Sequence, residues 1–380
     1  MGNDEMKYYV WLQLCLGQGS KTFEHLLEDA LLPSDIYSMT PSERKKVGYL
    51  SKGELDKMSK ISIEDSVKII DQCKRMGITL IKYNDDNFPA TLKSIPLPPM
   101  VLYIKGKMPD FDNNPVISIV GPRKVSEFGK KAAYSLGYRL GKAGFMVVSG
   151  GAIGSDTYAH IGALKANAKT VLVMGCGFNV SYLEENRALR EHIEKCGCLI
   201  SEYPPDTPIT RYTFPGRNRL ISALSLGTIV VEAGKRSGAL LTANHAIEQG
   251  RDVFVIPGSP EAQEYKGSNA LLRDGAKPLL DAGDIFGEYI SLFPDKIDIE
   301  KAFKKEPKQI KPQKNKKILN ETLSNEAKIV YNCLDTHRFY PDDLKTGLSS
   351  TELLSALGEL EMEFIIKALP GGQYEICKGD

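Results

Sequence analysis

The chain has 380 residues, of which 42% are hydrophobic and 26% charged, and its formal net charge is +1. This length indicates two or three globular domains, and the balanced charge excludes a globally basic nucleic-acid binder, so any basic surface must be local. No apolar run reaches the roughly 18 residues of a membrane span, no secretory signal is recognisable, and the seven scattered cysteines form no zinc-binding pattern. We therefore expect a cytoplasmic protein with reduced cysteines and no bound metal.

Residues 1–75 are predicted to form a small helical domain that resembles SAM or helix-hairpin modules. Apolar residues recur at helical spacing, and prolines and glycines separate the short helices. The turn Gly17-Gln18-Gly19 is typical of helix hairpins that hold a nucleic-acid backbone. It carries little basic charge, however, which favours an ordinary packing domain.

Residues 76–290 alternate short apolar runs with stretches long enough for a helix. Six runs rich in Val and Ile lie at 116–120, 145–149, 170–174, 198–201, 228–232 and 252–256, after strand-like segments at 78–83 and near 101–105. Short apolar runs of this kind suit strands buried on both faces, and the alternation predicts an α/β fold with a Rossmann-like, doubly wound, mostly parallel sheet. Such sheets bind ligands at the carboxyl ends of their strands, so functional residues are expected in the loops that follow these runs.

A Lys-rich linker is predicted over residues 291–321, where eight lysines between 301 and 317 stand among Pro and Gln. The lysines serve either the solubility of the tether or additional nonspecific contacts to phosphates.

Residues 322–380 show a helix–helix–helix–hairpin pattern, turning at Gly371-Gly372, that is typical of a winged helix. The third helix is predicted within 350–369. Its segment 350–364 carries four glutamates and no lysine or arginine, whereas a helix that reads duplex DNA should be basic. This favours a protein-contact or structural role for the winged-helix-like module.

The glycine-rich loops match none of the common nucleotide or hydrolase motifs. A P-loop, a GxSxG elbow and a complete dinucleotide fingerprint are all missing. The loops instead combine glycines, hydroxyls and cations before helices, a combination that binds phosphate oxygens, and Phe128, Phe178 or Phe214 could stack on bases. We therefore predict a polyanion site with no catalytic residue. Its candidate residues are Gly121, Arg123, Lys124, Ser126, Gly150, Gly151, Gly154, Phe214, Arg217, Asn218, Arg219, Lys235, Arg236, Ser237, Gly238 and Thr242.

Two of these loops should also cap helices. Ser126 is predicted to cap the helix after the first central strand, and Ser155 or Asp156 the next helix. Asp156 and His160 are four residues apart and would share a helix face, so an acid–base dyad is conceivable. A helix cap at Asp156 and a hydrogen-bonded core histidine at His160 are favoured over that dyad.

Long segments of the core closely resemble the family of DNA-processing protein A (DprA, also called Smf) over roughly residues 80–287. These segments read IVGPRKVSEFG, VVSGGAIGSDTYAHIGAL, SEYPPDTP, FPGRNRLISALS, VVEAGKRSGALLTANHAIEQGRDVFVIPG and GSNALLRDGAKPL. The helical domain before them and the winged-helix-like module after them agree with this family.

The resemblance implies a protein that binds single-stranded DNA without sequence preference and needs no cofactor. Family members protect incoming strands during natural transformation, displace single-strand-binding protein and load the RecA recombinase. They act as homodimers through the later part of the core, for which the helix around 269–273 is the candidate here. The family's glycine–small–arginine motif falls on Gly121, Pro122 and Arg123, and its FPxRNR segment falls on 214–219.

Three departures from the family pattern concern the groove. Pro122 replaces the usual small residue, and Ile153 and Glu184 stand where the family often has basic residues. Arg187 or Arg190 would be placed to compensate for the two missing cations. DNA affinity is otherwise expected to be lower, or to be carried in part by the Lys-rich linker.

Two alternatives come from other classes. One is a Rossmann-like enzyme that cleaves nucleoside monophosphates to base and ribose phosphate, but the signature PGGxGTxxE of that group is absent. The other is a nucleotide sensor that signals through the terminal module. Salt-dependent binding of long single strands would favour the DNA-binding hypothesis over both.

Overall fold

The computed structural model describes residues 2–304, 323–334, 337–363, 365–369 and 372–377. Within these residues a nine-stranded sheet forms the centre of the molecule. Its strands are β1 (Thr79–Lys82), β2 (Val101–Gly106), β3 (Val116–Val120), β4 (Met146–Ser149), β5 (Thr170–Met174), β6 (Cys198–Ser201), β7 (Gly227–Val230), β8 (Asp252–Val255) and β9 (Lys277–Pro278). The predicted strand runs therefore all form strands.

The strand order is β1-β2-β6-β5-β4-β3-β7-β8-β9. All neighbours from β6 to β9 are parallel, whereas β1–β2 and β2–β6 are antiparallel. This confirms the predicted doubly wound, mostly parallel sheet. The chain moves outwards from β3 to β6 and then returns to the other side of β3 with β7. The crevice between the carboxyl ends of β3 and β7 is thus the topological switch point, where such sheets bind ligands.

Helices cover both faces of this sheet. Ala133 and Ala159 pack on one face, and Leu220 and Ala243 pack on the other. The bounds of the core helices are α7 (Ala90–Lys93), α8 (Glu127–Lys142), α9 (Ser155–Lys165), α10 (Arg187–Cys196), α11 (Thr213–Ala223), α12 (Gly238–Glu248), α13 (Lys266–Arg273) and α14 (Ala282–Tyr289).

The N-terminal region is helical, as predicted, and shares a hydrophobic cluster with β2. Trp11 is fully buried there, and its indole N–H donates to the Ile61 carbonyl at 2.9 Å. Val101 and Tyr103 of β2 belong to the same cluster. The helices are α1 (Gly2–Leu16), α2 (Lys21–Glu28), α3 (Pro33–Ser38), α4 (Pro41–Lys46), α5 (Lys52–Lys60) and α6 (Ile63–Arg75).

The Gly17–Gly19 turn lies against the core. A Cβ added at Gly19 would come within 3.3 Å of Arg219 Nε, and the nearby Gln13 amide donates to the Glu202 carbonyl at 3.1 Å. These contacts agree with the packing interpretation of the N-terminal helices.

The Lys-rich linker is expected from residue 291, but the chain up to 304 packs on the core. Ile297 and Ala302 are buried, the latter in α15 (Ile299–Phe303), because their apolar side chains join the cluster on the α8 face. The remaining predicted linker, including six of its lysines, lies outside the described residues. Within the part of the chain that the structure describes, no helix is long and apolar enough to cross a membrane.

The described residues between 323 and 377, in the module predicted to be winged-helix-like and called the C-terminal module below, combine two helices with an antiparallel sheet ordered β10-β12-β11. Its elements are α16 (Asn325–Asn332), β10 (Arg338–Phe339), α17 (Ser350–Met362), β11 (Ile366–Ala368) and β12 (Tyr374–Ile376). Two expectations are wrong here. The second helix of the predicted pattern is only a 3₁₀ turn over 341–343, and the last helix, predicted within 350–369, ends at Met362 because Ile366 pairs with Ile376.

Candidate nucleic-acid interface

A cleft of about 420 Å³ lies at the switch point between β3 and β7, and we call it the switch-point cleft. The loop after β3, the start of α11 and the loop before α12 surround it. Ten of the sequence-predicted residues line it: Gly121, Arg123, Phe214, Arg217, Asn218, Lys235, Arg236, Ser237, Gly238 and Thr242. The topology thus brings together residues that are more than 100 positions apart in the chain.

Arg123 is exposed and held by two aromatic rings. Its guanidinium lies 5.3 Å from the centre of the Phe214 ring, and its Nη2 donates to the Tyr182 hydroxyl at 3.4 Å. The two rings are themselves 5.3 Å apart. A cation that rests on an aromatic face keeps its N–H groups directed outwards, so this guanidinium is pre-oriented for a phosphate. The contact of Tyr182 with Arg123 was not predicted. The sequence indicates it only by placing an aromatic residue after a strand-end loop.

The opposite wall of the cleft is the amino terminus of α12. Ser237 caps this helix by accepting a hydrogen bond from Ala239 N at 3.3 Å, and Lys235 and Arg236 just before it are exposed. The free N–H groups and positive dipole end of a helix favour an anion, and the two cations add to that preference.

Arg217 and Arg219 differ from the other predicted cations because both are buried. Arg217 donates to the carbonyls of Gly150 and Val173, and only 5% of its surface is exposed at the cleft floor. Arg219 faces away from the cleft and donates to both carboxylate oxygens of Glu202 at 2.6 and 2.8 Å. These guanidinium groups are already used by the protein, so in this structure they hold the cleft together rather than present charge to a ligand.

The loop 150–154 also has a structural role rather than a ligand-binding one. Asp156 does not cap α9 but turns back and accepts from Gly150 N and Ala152 N at 3.2 Å, and Ser155 does not cap it either. Gly154 has φ +94°, and a Cβ there would lie 2.5 Å or less from the carbonyls of Pro122 and Arg123. The loop therefore fixes the backbone that carries Arg123, while Gly150 and Gly151 are buried.

Ser126 caps α8 as predicted, because its Oγ accepts from Gly129 N at 3.0 Å. Its own N–H donates to Glu232 at 3.1 Å, and Glu232 also accepts from the Tyr265 hydroxyl at 2.9 Å. This fully buried carboxylate at the end of β7 thereby ties the loop after β3 to β7.

Lys124 and Ile153 lie beside the cleft, on the side that faces the C-terminal module, and both are exposed. The arginines expected to replace the missing cations have other partners. Arg190 donates to the Leu183 carbonyl at 2.9 Å, and Arg187 donates to Ser355 Oγ of the module at 3.1 Å.

His160 is a buried core residue, which confirms the interpretation favoured from the sequence. Thr170 Oγ1 donates to the Val147 carbonyl at 2.7 Å, so the 2.7 Å contact between His160 Nδ1 and the same oxygen requires Nδ1–H to donate. The other ring nitrogen, Nε2, has no hydrogen-bond partner among the described residues. Burial, together with the charge of Arg217, lowers the pKa of this imidazole to about 3.

This depressed pKa predicts an acid-sensitive fold. The unfolded chain binds a proton at His160 below about pH 6.5, and the folded chain does so only near pH 3, so the free energy of unfolding should fall with pH across this window. The expected slope from this one group is about 1.4 kcal/mol per pH unit. Urea denaturation between pH 7 and 4 measures it, and His160→Leu should show a slope smaller by that amount. Equal slopes in the two proteins would contradict the assignment.

Among the described residues, no group of three or more His, Cys, Asp or Glu side chains is placed to hold a metal ion.

The family model for DNA recombination-mediator protein A matches residues 79–290. DNA processing protein DprA of Bacillus subtilis is 39% identical over 221 residues, which cover 58% of this chain and 74% of that protein. The X-ray structure of DprA from Streptococcus pneumoniae aligns with a TM-score of 0.66 at 29% identity, over 74% of this chain and 97% of that one. The DprA structure from Helicobacter pylori, described for its mode of binding single-stranded DNA, aligns with a TM-score of 0.51 at 28% identity, over 56% of this chain and 96% of that one.

Proposed function

Because the chain belongs to the DNA recombination-mediator protein A family, also known as DprA or Smf, we propose that it binds single-stranded DNA and mediates recombination during natural transformation. The observation that carries this proposal is the presentation of Arg123 over Phe214 and Tyr182 at the switch point. Charged N–H donors beside aromatic rings are what a sequence-independent single-strand site requires, because every nucleotide offers a phosphate and a stackable base.

The phosphate-contacting set is narrower than the candidates drawn from the sequence. We assign the contacts to Arg123, Lys124, Lys235 and Arg236, which are exposed, and to the N–H groups at the start of α12. Phe214 and Asn218, both half-buried, line the cleft beneath these groups, where the Phe214 ring holds the Arg123 guanidinium. Arg217 and Arg219 support this surface from below.

The protein acts without catalysis in this proposal. Three carboxylates at this edge of the sheet are engaged: Asp156 by backbone N–H groups, Glu202 by Arg219, and Glu232 by Ser126 and Tyr265. A carboxylate held in this way is poorly placed to act as a general base on a bound nucleotide.

The wider role follows from family membership. We propose that the protein works in the cytoplasm as a homodimer, protects incoming strands, displaces single-strand-binding protein and loads RecA. The surface of α13 around 269–273 is the proposed dimer contact, and Arg273 on it is exposed.

Fluorescence anisotropy with a labelled oligo-dT tests the central proposal. Binding should be outcompeted by unlabelled single strand but not by a duplex of equal length. The logarithm of affinity should fall linearly with the logarithm of salt concentration, because each neutralised phosphate releases a counterion. Absence of binding at low salt, together with release of free base from a nucleoside monophosphate, would favour the phosphoribohydrolase alternative instead.

A further inference from the structure

The C-terminal module packs on the core directly beside the Arg123 loop (residues 121–126). One side of α17 makes this contact, with Ser355, Gly358, Glu361 and Met362 at successive helical turns facing α9, α10 and the 3₁₀ turn at 184–186. In the predicted winged-helix pattern, this is the helix that would read DNA. Here its surface is occupied by the protein's own core.

The polar contacts of this docking engage groups of the core that are suited to binding phosphate. Lys165 pairs with Glu363 at 2.8 Å, the Tyr158 hydroxyl donates to Glu361 at 2.7 Å, and Arg187 Nε donates to Ser355. The module therefore supplies carboxylate and hydroxyl oxygens to the same side-chain types that bind phosphate oxygens.

The docking surface is also incompletely packed. A crevice of about 360 Å³ separates the Arg123 loop from the module, and another of about 210 Å³ lies beyond the Tyr158–Glu361 contact, between α8 and β11. The Lys165–Glu363 pair is more than one third exposed on both sides. Imperfectly packed domain interfaces that rely on exposed ion pairs are typical of reversible contacts.

We infer that the docked C-terminal module and a DNA strand compete for one surface, made of the Arg123 loop, Lys165 and Arg187. This inference rests on the proposed binding of single-stranded DNA. A strand that leaves the switch-point cleft past Arg123 and Lys124 meets Glu361 and Tyr374 of the module across the first crevice. The carboxylate there repels the phosphate backbone, so the strand must displace the module to continue. By linkage, DNA binding and release of the module strengthen each other by the same factor.

Gly358 offers a substitution that removes the docking and preserves the module. A Cβ at this position would lie 2.1 Å from the Glu185 carbonyl oxygen, and the nearest atoms outside its own helix all belong to Glu185 of the core. Alanine is the better helix former, so Gly358→Ala should leave α17 folded and push it away from the core. Gly287→Ala is the matched control, because a Cβ at this position of α14 meets nothing within 4 Å.

The experiment compares full-length wild type, Gly358→Ala, Gly358→Leu and Gly287→Ala. Small-angle X-ray scattering reports undocking as a larger radius of gyration, circular dichroism reports folding, and anisotropy with oligo-dT reports affinity. We expect Gly358→Ala to expand the protein and to bind oligo-dT at least about threefold more tightly, as removal of a competing intramolecular contact requires. Saturating oligo-dT should expand the wild type as well, and Gly287→Ala should match the wild type throughout.

Two results would overturn the inference. One is an expanded, folded Gly358 variant whose affinity for oligo-dT is unchanged or lower, which would make the module a neutral neighbour or part of the binding surface. The other is the absence of expansion even in Gly358→Leu, which would show that the docking does not exist in solution. If neither the wild type nor an expanded Gly358 variant binds oligo-dT, the proposed function itself fails, and the competition fails with it.

Discussion

Arg123→Ala should weaken the binding of single-stranded oligo-dT by about 5- to 150-fold, which corresponds to about 1–3 kcal/mol for charge-assisted hydrogen bonds. The expected loss is large because the guanidinium is exposed and already held by Phe214 and Tyr182, so little side-chain entropy is lost on binding. Anisotropy titrations at two salt concentrations measure the effect. The salt dependence of the variant should also be shallower by about one phosphate contact.

Arg75→Ala is a suitable control for this measurement. Arg75 is an exposed arginine at the end of α6, so its removal changes the net charge equally. A comparable loss of affinity in both variants would mean that total charge, rather than the switch-point cleft, determines binding. That result would remove the main support for the site.

Arg219→Ala should lower the free energy of unfolding by about 3–5 kcal/mol, because it leaves the Glu202 carboxylate, which is only 1% exposed, buried without its partner. The loss should spread to the N-terminal helices, since the Gly17–Gly19 turn lies on the same pair. Urea denaturation followed by circular dichroism measures this change.

Arg236→Ala should have the opposite effects on stability and DNA affinity, and it therefore serves as the comparison for Arg219→Ala. Arg236 is exposed at the cleft, so its loss should change the free energy of unfolding by less than about 0.5 kcal/mol but should reduce the affinity for oligo-dT. If Arg219→Ala is as stable as the wild type and binds DNA weakly, Arg219 must reach the ligand after all, and its structural assignment is incorrect.

The sequence predicted the central sheet because strand-like periodicity and glycine-bearing turns are local signals. It also identified the loops that the topology gathers at the switch point. The burial of Arg217 and Arg219 was missed, although helix geometry predicts part of it. Two residues that are two positions apart on a helix are rotated by about 200° around its axis and face nearly opposite sides, so both could not face one cleft. The sequence could not predict the partner of Arg219, because Glu202 lies on another element and only the folded sheet brings the two residues together.

The ends of two predicted segments were misplaced for a similar reason. Ile297 and Ala302 follow the last core helix in a stretch that was predicted to belong to the Lys-rich linker, and only the apolar surface of α8 and α14 explains why they are buried. Likewise, Ile366 continues a helical pattern in the sequence, but its pairing with Ile376 makes it a strand. In both cases long-range contacts override the local preference.

The position of Trp11 determines which optical signal the protein can give. It is the only tryptophan in the chain, and it is fully buried among the N-terminal helices, away from the residues that line the switch-point cleft. Intrinsic tryptophan emission should therefore remain nearly constant when a nucleotide binds in the switch-point cleft, and it should shift to longer wavelength when the cluster shared with β2 opens. In one sample, tryptophan emission can thus report the integrity of the fold while a label on the oligonucleotide reports binding.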